Sequence, residues 1–444
     1  MIPPADRVKR IVSLGLPIMA GMSTHVILGV VDMVFVGFIG TAAIGAVGLA
    51  SFFSFIYLGF FWGGSVAVQA TVSRLKGQGQ EDRTAEFLNA AILLVLLTAP
   101  ASSLILVLAT PWLLPLMNDD PSVLNHGIPY LQWLIASGTF VGINAAFGGF
   151  WNATDRSRIY MRVVMATGLL NIPLNYIFIF GPLGLPAFGV TGAGIGTALA
   201  SVLGTLYYFY FGVRYARQNG FLHRRPALSQ MNTLIRLAIP SGSQQVIECL
   251  TLSLMYKIVG LIGTAQLAVF SVLMNLINMV GLPAWGLGIA GATLVGQALG
   301  RDDTSDASAW AWDVVKVGLA AMALLGIPLW LLSDSILAIF IHDPEVRIFG
   351  IWPCRILGIM IVFNGIGYIL SAMLNGAGDV KRVMYVNVCT QYFLLLPGAI
   401  LLGPYLGFGL MGVWAMHQFG FRAVQSGIFI YMWRRRRWAN IRFW

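Results

Sequence analysis

Charge is what this sequence has least of: 10% of its 444 residues are Asp, Glu, Lys or Arg, against 58% hydrophobic. A soluble domain carries about a quarter, so a water-facing surface all round is excluded and the chain is a polytopic membrane protein. Cysteine is also scarce. Cys249, Cys354 and Cys389 all lie in apolar segments, in an odd number and at spacings that suit neither a disulfide framework nor a zinc site. No lysine follows a glycine, so the P-loop that cradles ATP phosphates is absent. No metal-ligand cluster or nucleophile–base pair stands out, which argues against an enzyme. The net charge of +10 does not indicate a nucleic-acid partner, because the basic residues fall in short clusters between apolar runs, as topology signals do.

What is abundant is apolar runs of spanning length. They lie near 11–36, 46–72, 87–114, 128–150, 160–181 and 188–213, and again near 234–260, 266–298, 311–332, 348–373, 383–403 and 408–433. The connections alternate between basic and nearly Lys/Arg-free, which predicts twelve spanning helices with both termini cytoplasmic. The opening MIPPADRVKR resembles the basic flank of a signal peptide. The run behind it is too long for such a peptide and contains Asp32, so it reads as an uncleaved first helix.

The second half repeats the first. Pro17 pairs with Pro240 and Gly40-Thr41 with Gly263-Thr264, both at a spacing of 223 (240 − 17, 263 − 40). Gly77 pairs with Gly300, Asn152 with Asn375, Ile172-Pro173 with Leu396-Pro397, and Phe188-Gly189 with Phe408-Gly409, the spacing drifting between 220 and 224 (408 − 188, 396 − 172). Six helices per unit is an even number, so the repeat is parallel. The expected organisation is a lobe over 1–213, a basic cytoplasmic linker over 214–233, a second lobe over 234–433 and a basic tail over 434–444.

Several of these stretches carry a resemblance. Gly15-Leu16-Pro17, VVDMVFVGFIG, GLGIAGATLVGQALG, NIPLNYIFIFGPLGLPAFGVTGAGIGTALA and LNGAGD followed by basic residues are similar to the MATE (multidrug and toxic-compound extrusion) family, over all twelve helices. The resemblance implies an all-α membrane protein of two six-helix lobes that exports amphipathic, often cationic compounds in exchange for Na⁺ or H⁺.

Polar side chains inside the spans are the candidate site residues, because a charge at membrane depth costs about 3 kcal/mol and persists with a partner or a role. Asp32 is first, suited to carry a proton, with His25 seven residues earlier on the same helix face; the rival reading is a structural carboxylate. Glu248 is second, on a stripe with Ser241, Gln244, Gln245 and Thr251 that must face a cavity or another helix. Asn171 and Asn175 share a face, as do Thr197, Ser201 and Thr205; such stripes also serve as glue between helices. Asn364, Tyr368 and Ser371 form a further stripe, and Asn275 and Asn278 another. Asp313 and Lys316 read as a local i, i+3 pair, Lys257 and Arg355 as snorkelling cations, and Arg422, near His417, as facing protein or water. The resemblance places a functional acid at Asp32, an Asp in some members at the position of Asn175, and an acid at Glu248 in the Na⁺-linked branch, whose second acid position here holds Asn364.

The expected coupling-ion residues are therefore Asp32, Glu248, Asn171, Asn175 and Thr197. The expected substrate or cavity residues are His25, Gln244, Gln245, Asn275, Asn278, Asn364 and Tyr368. The expected activity is secondary-active antiport of amphipathic, cationic drugs or metabolites by a monomer in the plasma (inner) membrane, without cofactor, coupled to H⁺ in preference to Na⁺. The alternatives are a lipid-linked-precursor flippase of the same superfamily, for which a strongly cationic cavity would be expected, and a channel.

Overall fold

The computed structural model describes residues 3–443, the side chain of residue 183 excepted; the outer limits of the expected first lobe and tail, residues 1 and 444, lie outside them. The described residues are helical, without strands. In order come α1 (Ala5–Gly37), α2 (Thr41–Gly77), α3 (Thr84–Leu113), α4 (Pro121–Ala136), α5 (Gly138–Ala153), α6 (Ser157–Phe180) and α7 (Val190–Tyr215). Then follow α8 (Leu228–Gly260), α9 (Thr264–Gly300), α10 (Thr304–Leu331), the short α11 (Ser333–Ala338) and α12 (Pro344–Gly376). The last two spans alternate α and π turns: α13 (Val380–Val388), α14 (Leu396–Ile400), α15 (Gly409–Ala415) and α16 (Val424–Arg434), with π-helical runs at Cys389–Leu395, Leu401–Tyr405 and Met416–Ala423.

The repeat is written into the backbone at the helix starts. Gly40 and Gly263, at φ 144° and 159°, precede α2 and α9 in a region that side chains rarely enter. Asp120-Pro121 and Asp343-Pro344 start α4 and α12, again 223 apart (343 − 120). In each pair the carboxylate accepts a backbone N–H, from Ser122 and from Glu345, both at 2.9 Å. The proline fills the first helical position, whose N–H would be unpaired anyway. The spacing reaches 224 only at Pro397 (397 − 173), and the added residue falls where the π run Cys389–Leu395 precedes it. One extra residue per turn is what a π turn absorbs.

Nine described helices are long and apolar enough to cross a membrane, ten if α4 and α5 count as one span bent by 47°. The span expected near 128–150 falls in this bent pair. α8 and the run from Gly409 to Arg434 complete the twelve spans. Both are more polar, α8 through Ser241, Gln244, Gln245 and Glu248, the other through His417, Gln418, Arg422 and Gln425.

The chain forms two compact units, one of Ala20–Val246 and one of the residues up to Met19 with Ile247–Phe443. The divisions fall inside α1 and α8. Within the first unit, Gly63 of α2 lies so close to α8 that a Cβ there would stand 2.8 Å from the Cα of Gly242. Within the second, Gly286, 223 residues after Gly63 (286 − 63), lies against Met19 of α1. The first unit's apolar core includes Val36, Ala50, Leu131 and Ile179, from α1, α2, α4 and α6, and so fixes α1 just past Asp32.

The basic segments are tied down. Arg7 pairs with Asp306 and, at 3.0 Å, with Asp313, under the ring of Trp310. The expected i, i+3 pair of Asp313 with Lys316 is present at 3.5 Å, and the contact from Arg7 of α1 is the closer one. The segment before α8 is fastened to α3. Asn89 donates to the carbonyls of Gly220 (3.0 Å) and Arg224 (2.9 Å) and accepts from the amide of Leu222 (3.2 Å). Arg224 pairs with Glu86 at 2.8 Å and Asp82 at 2.7 Å.

Two expectations follow. Asn89→Ala leaves those backbone groups unpaired and should cost about 1–3 kcal/mol, seen as a lower thermal midpoint and earlier proteolysis at residues 220–225; an unchanged proteolysis pattern would assign the fastening to Arg224. For topology, cysteine at the exposed Arg225 should react with an impermeant thiol reagent only from the cytoplasmic side, and labelling from outside would overturn the charge-alternation topology.

Candidate functional site

In the first unit α1, α6 and α7 bring four of the expected residues together. Asn175 of α6 donates through Nδ2 to Oδ1 of Asp32 at 2.6 Å and to Oδ1 of Asn171 at 3.1 Å. Asn171 donates to Oγ1 of Thr197 and to Oδ1 of Asn175, both at 3.4 Å. The approach of α7 depends on Gly196, where a Cβ would collide with the backbone and side chain of Asn175, and on Gly192, which abuts the backbone of Phe178. Asn171 and Asn175 are buried, while Asp32 is partly open. Tyr130 of α4 lies within electrostatic reach of Asp32. Among the described residues Asp32 has an amide for its partner and no cation. His25 is exposed two turns away and is not bonded to it.

The neighbour of Asp32 presents a donor to it. Asn175 turns its N–H, not its oxygen, toward Asp32, and its oxygen serves Asn171. A neutral carboxyl keeps a carbonyl oxygen that can accept the same bond from Asn175. Asp32 can therefore gain or lose a proton without disturbing the network.

In the second unit Glu248 of α8 faces Arg422, with Oε1 and a guanidinium nitrogen 3.6 Å apart. The glutamate side chain is 48% exposed and the arginine 12%. The guanidinium lies 4.6 Å from the ring centroids of Tyr368 and of Phe421 and donates to Gln425 at 3.2 Å. Gln425 in turn donates to Asn387 at 2.9 Å. Trp285 of α9 meets Tyr368 edge-on at 5.5 Å.

The other expected residues are more dispersed. Asn364 donates to Gln418 at 3.0 Å, and Thr251 to Gln391 at 2.6 Å. Gln244 and Gln245 fall in the first unit, where Gln245 covers Gly59. Asn275 and Asn278 are exposed on α9, Asn275 bonding back to its own helix at Ser271. Arg355 bonds Ser333 at 3.3 Å and lies over Trp352. Gln391, Gln418 and Gln425, buried and bonded, were not singled out from the sequence; glutamines inside apolar runs were the available signal.

Comparison with known proteins agrees with this architecture. The MatE family model matches residues 17–177 and 240–401, two stretches that start 223 residues apart (240 − 17). A probable multidrug resistance protein NorM of Photorhabdus laumondii is 26% identical over 400 residues, covering 88% of this chain and 86% of that one. One of Thermotoga maritima is 23% identical over 413 residues, covering 91% and 88%. A solved structure described as the outward-facing conformation of a multidrug resistance MATE family transporter has a TM-score of 0.89 at 20% identity, covering 97% of this chain and 96% of the other. With both halves of its internal repeat matched, this multi-pass membrane protein belongs to the MATE family.

Proposed function

We propose that the chain is a secondary-active antiporter that exports amphipathic, cationic small molecules by alternating access, taking up protons in exchange. The observation that carries this reading is Asp32, a carboxyl inside an apolar span, held by Asn175 at 2.6 Å with no cation beside it among the described residues. Its protonation can be exchanged for substrate charge, as coupled transport requires. Relatives named as multidrug resistance proteins support the substrate class. Glu248 supplies the cation-attracting carboxylate of the second unit, and Asn364, where a second acid would strengthen a Na⁺ site, favours the proton. The protein works as a monomer in the plasma membrane, both termini cytoplasmic.

The test is uphill transport. Purified protein in liposomes should concentrate ethidium against its gradient when a pH gradient is imposed, and a K⁺/H⁺ exchanger should collapse the accumulation. Ethidium flux that only dissipates its own gradient would mark a channel.

A further inference from the structure

We propose that Arg422 is a tethered counter-cation for Glu248, occupying the carboxylate while the site is empty and giving way when a transported cation arrives. The proposal rests on the reading of Glu248 as the substrate's carboxylate and adds a residue that sets its selectivity.

The two partners are held unequally. Arg422 is 12% exposed and gripped from several sides: two aromatic faces at 4.6 Å and the oxygen of Gln425. Gln425 is itself anchored on Asn387. Glu248 is nearly half exposed, and its contact with the guanidinium is 3.6 Å. That is beyond the 2.7–2.9 Å or so of a charge-assisted hydrogen bond, so it is a Coulombic contact rather than a locked fork. The arginine is thus fixed by groups other than the glutamate, and the glutamate is free to turn.

An empty site holds one negative and one positive charge, so no lone carboxylate stands at membrane depth, which would be costly. An incoming monocation must compete with a charge already present. Removing Arg422 should therefore strengthen cation binding, the reverse of what losing a merely structural residue does.

The experiment is equilibrium binding to purified protein of tetraphenylphosphonium, a monocation, and of triphenylphosphine oxide, its neutral relative. Arg422→Gln should bind the cation about fivefold more tightly than the wild type, the factor that about 1 kcal/mol gives. Arg422→Lys, which keeps the charge, should stay near the wild type. Glu248→Gln should bind the cation most weakly, and the double substitution should recover severalfold from it. Triphenylphosphine oxide should bind the wild type and the four variants alike. If Arg422→Gln does not fold, the comparison of Glu248→Gln with the double variant, from which both charges are gone, still decides. Cation binding indifferent to Glu248 in either background would remove Glu248 from the substrate site. Weakening by Glu248→Gln with no gain in Arg422→Gln, or no recovery in the double variant, would overturn the counter-cation alone.

Discussion

Asp32→Asn is expected to reduce proton-coupled export to the rate of empty liposomes while leaving the thermal midpoint unchanged. The amide oxygen of an asparagine can accept the same bond from Nδ2 of Asn175 that Asp32 accepts at 2.6 Å, so Asn171, Asn175 and Thr197 keep their places. What the substitution removes is the ability to gain and lose a proton. Since Asn171, Asn175 and Thr197 are not ionisable, no other member of the network can take over. A well-folded variant that exports ethidium at the wild-type rate would make Asp32 a structural carboxylate and end the proposal.

Glu248→Gln should act on substrate charge rather than on turnover as such. With the carboxylate gone, Arg422 presents an unopposed positive charge, 12% exposed and fixed by Tyr368, Phe421 and Gln425. The KM for a monocation should rise about tenfold, equivalent to about 1.4 kcal/mol, while neutral amphipaths stay within about twofold. Equal losses for both classes would mean that Glu248 serves the fold or the conformational cycle instead of recognition.

The parts of this architecture that were legible in the sequence are those that a backbone conformation demands. Gly40 and Gly263 recur because their φ angles suit glycine. Stripes were legible too: Asn171 and Asn175 share a face because helices bring residues four apart together. That this face meets Asp32, 143 residues away (175 − 32), depends on how closely α7 settles on α6 at Gly192 and Gly196, and packing of that kind leaves no periodic mark. The partnership of Glu248 with Arg422 was hidden further. The π run Met416–Ala423 contains Arg422, and a π turn shifts the angular phase on which counting by 3.6 relies. The bend between α4 and α5 falls at Ser137-Gly138, eight residues after Pro129 (137 − 129), and so was not marked by the proline.

The coupling ion is settled most directly by ethidium efflux from liposomes under either an imposed pH gradient without Na⁺ or an imposed Na⁺ gradient at equal pH. Exchange through Asp32 requires efflux that follows the pH gradient, ignores Na⁺ and disappears in Asp32→Asn. Strict dependence on Na⁺ that is lost in Glu248→Gln would contradict it and make Glu248 the ion site.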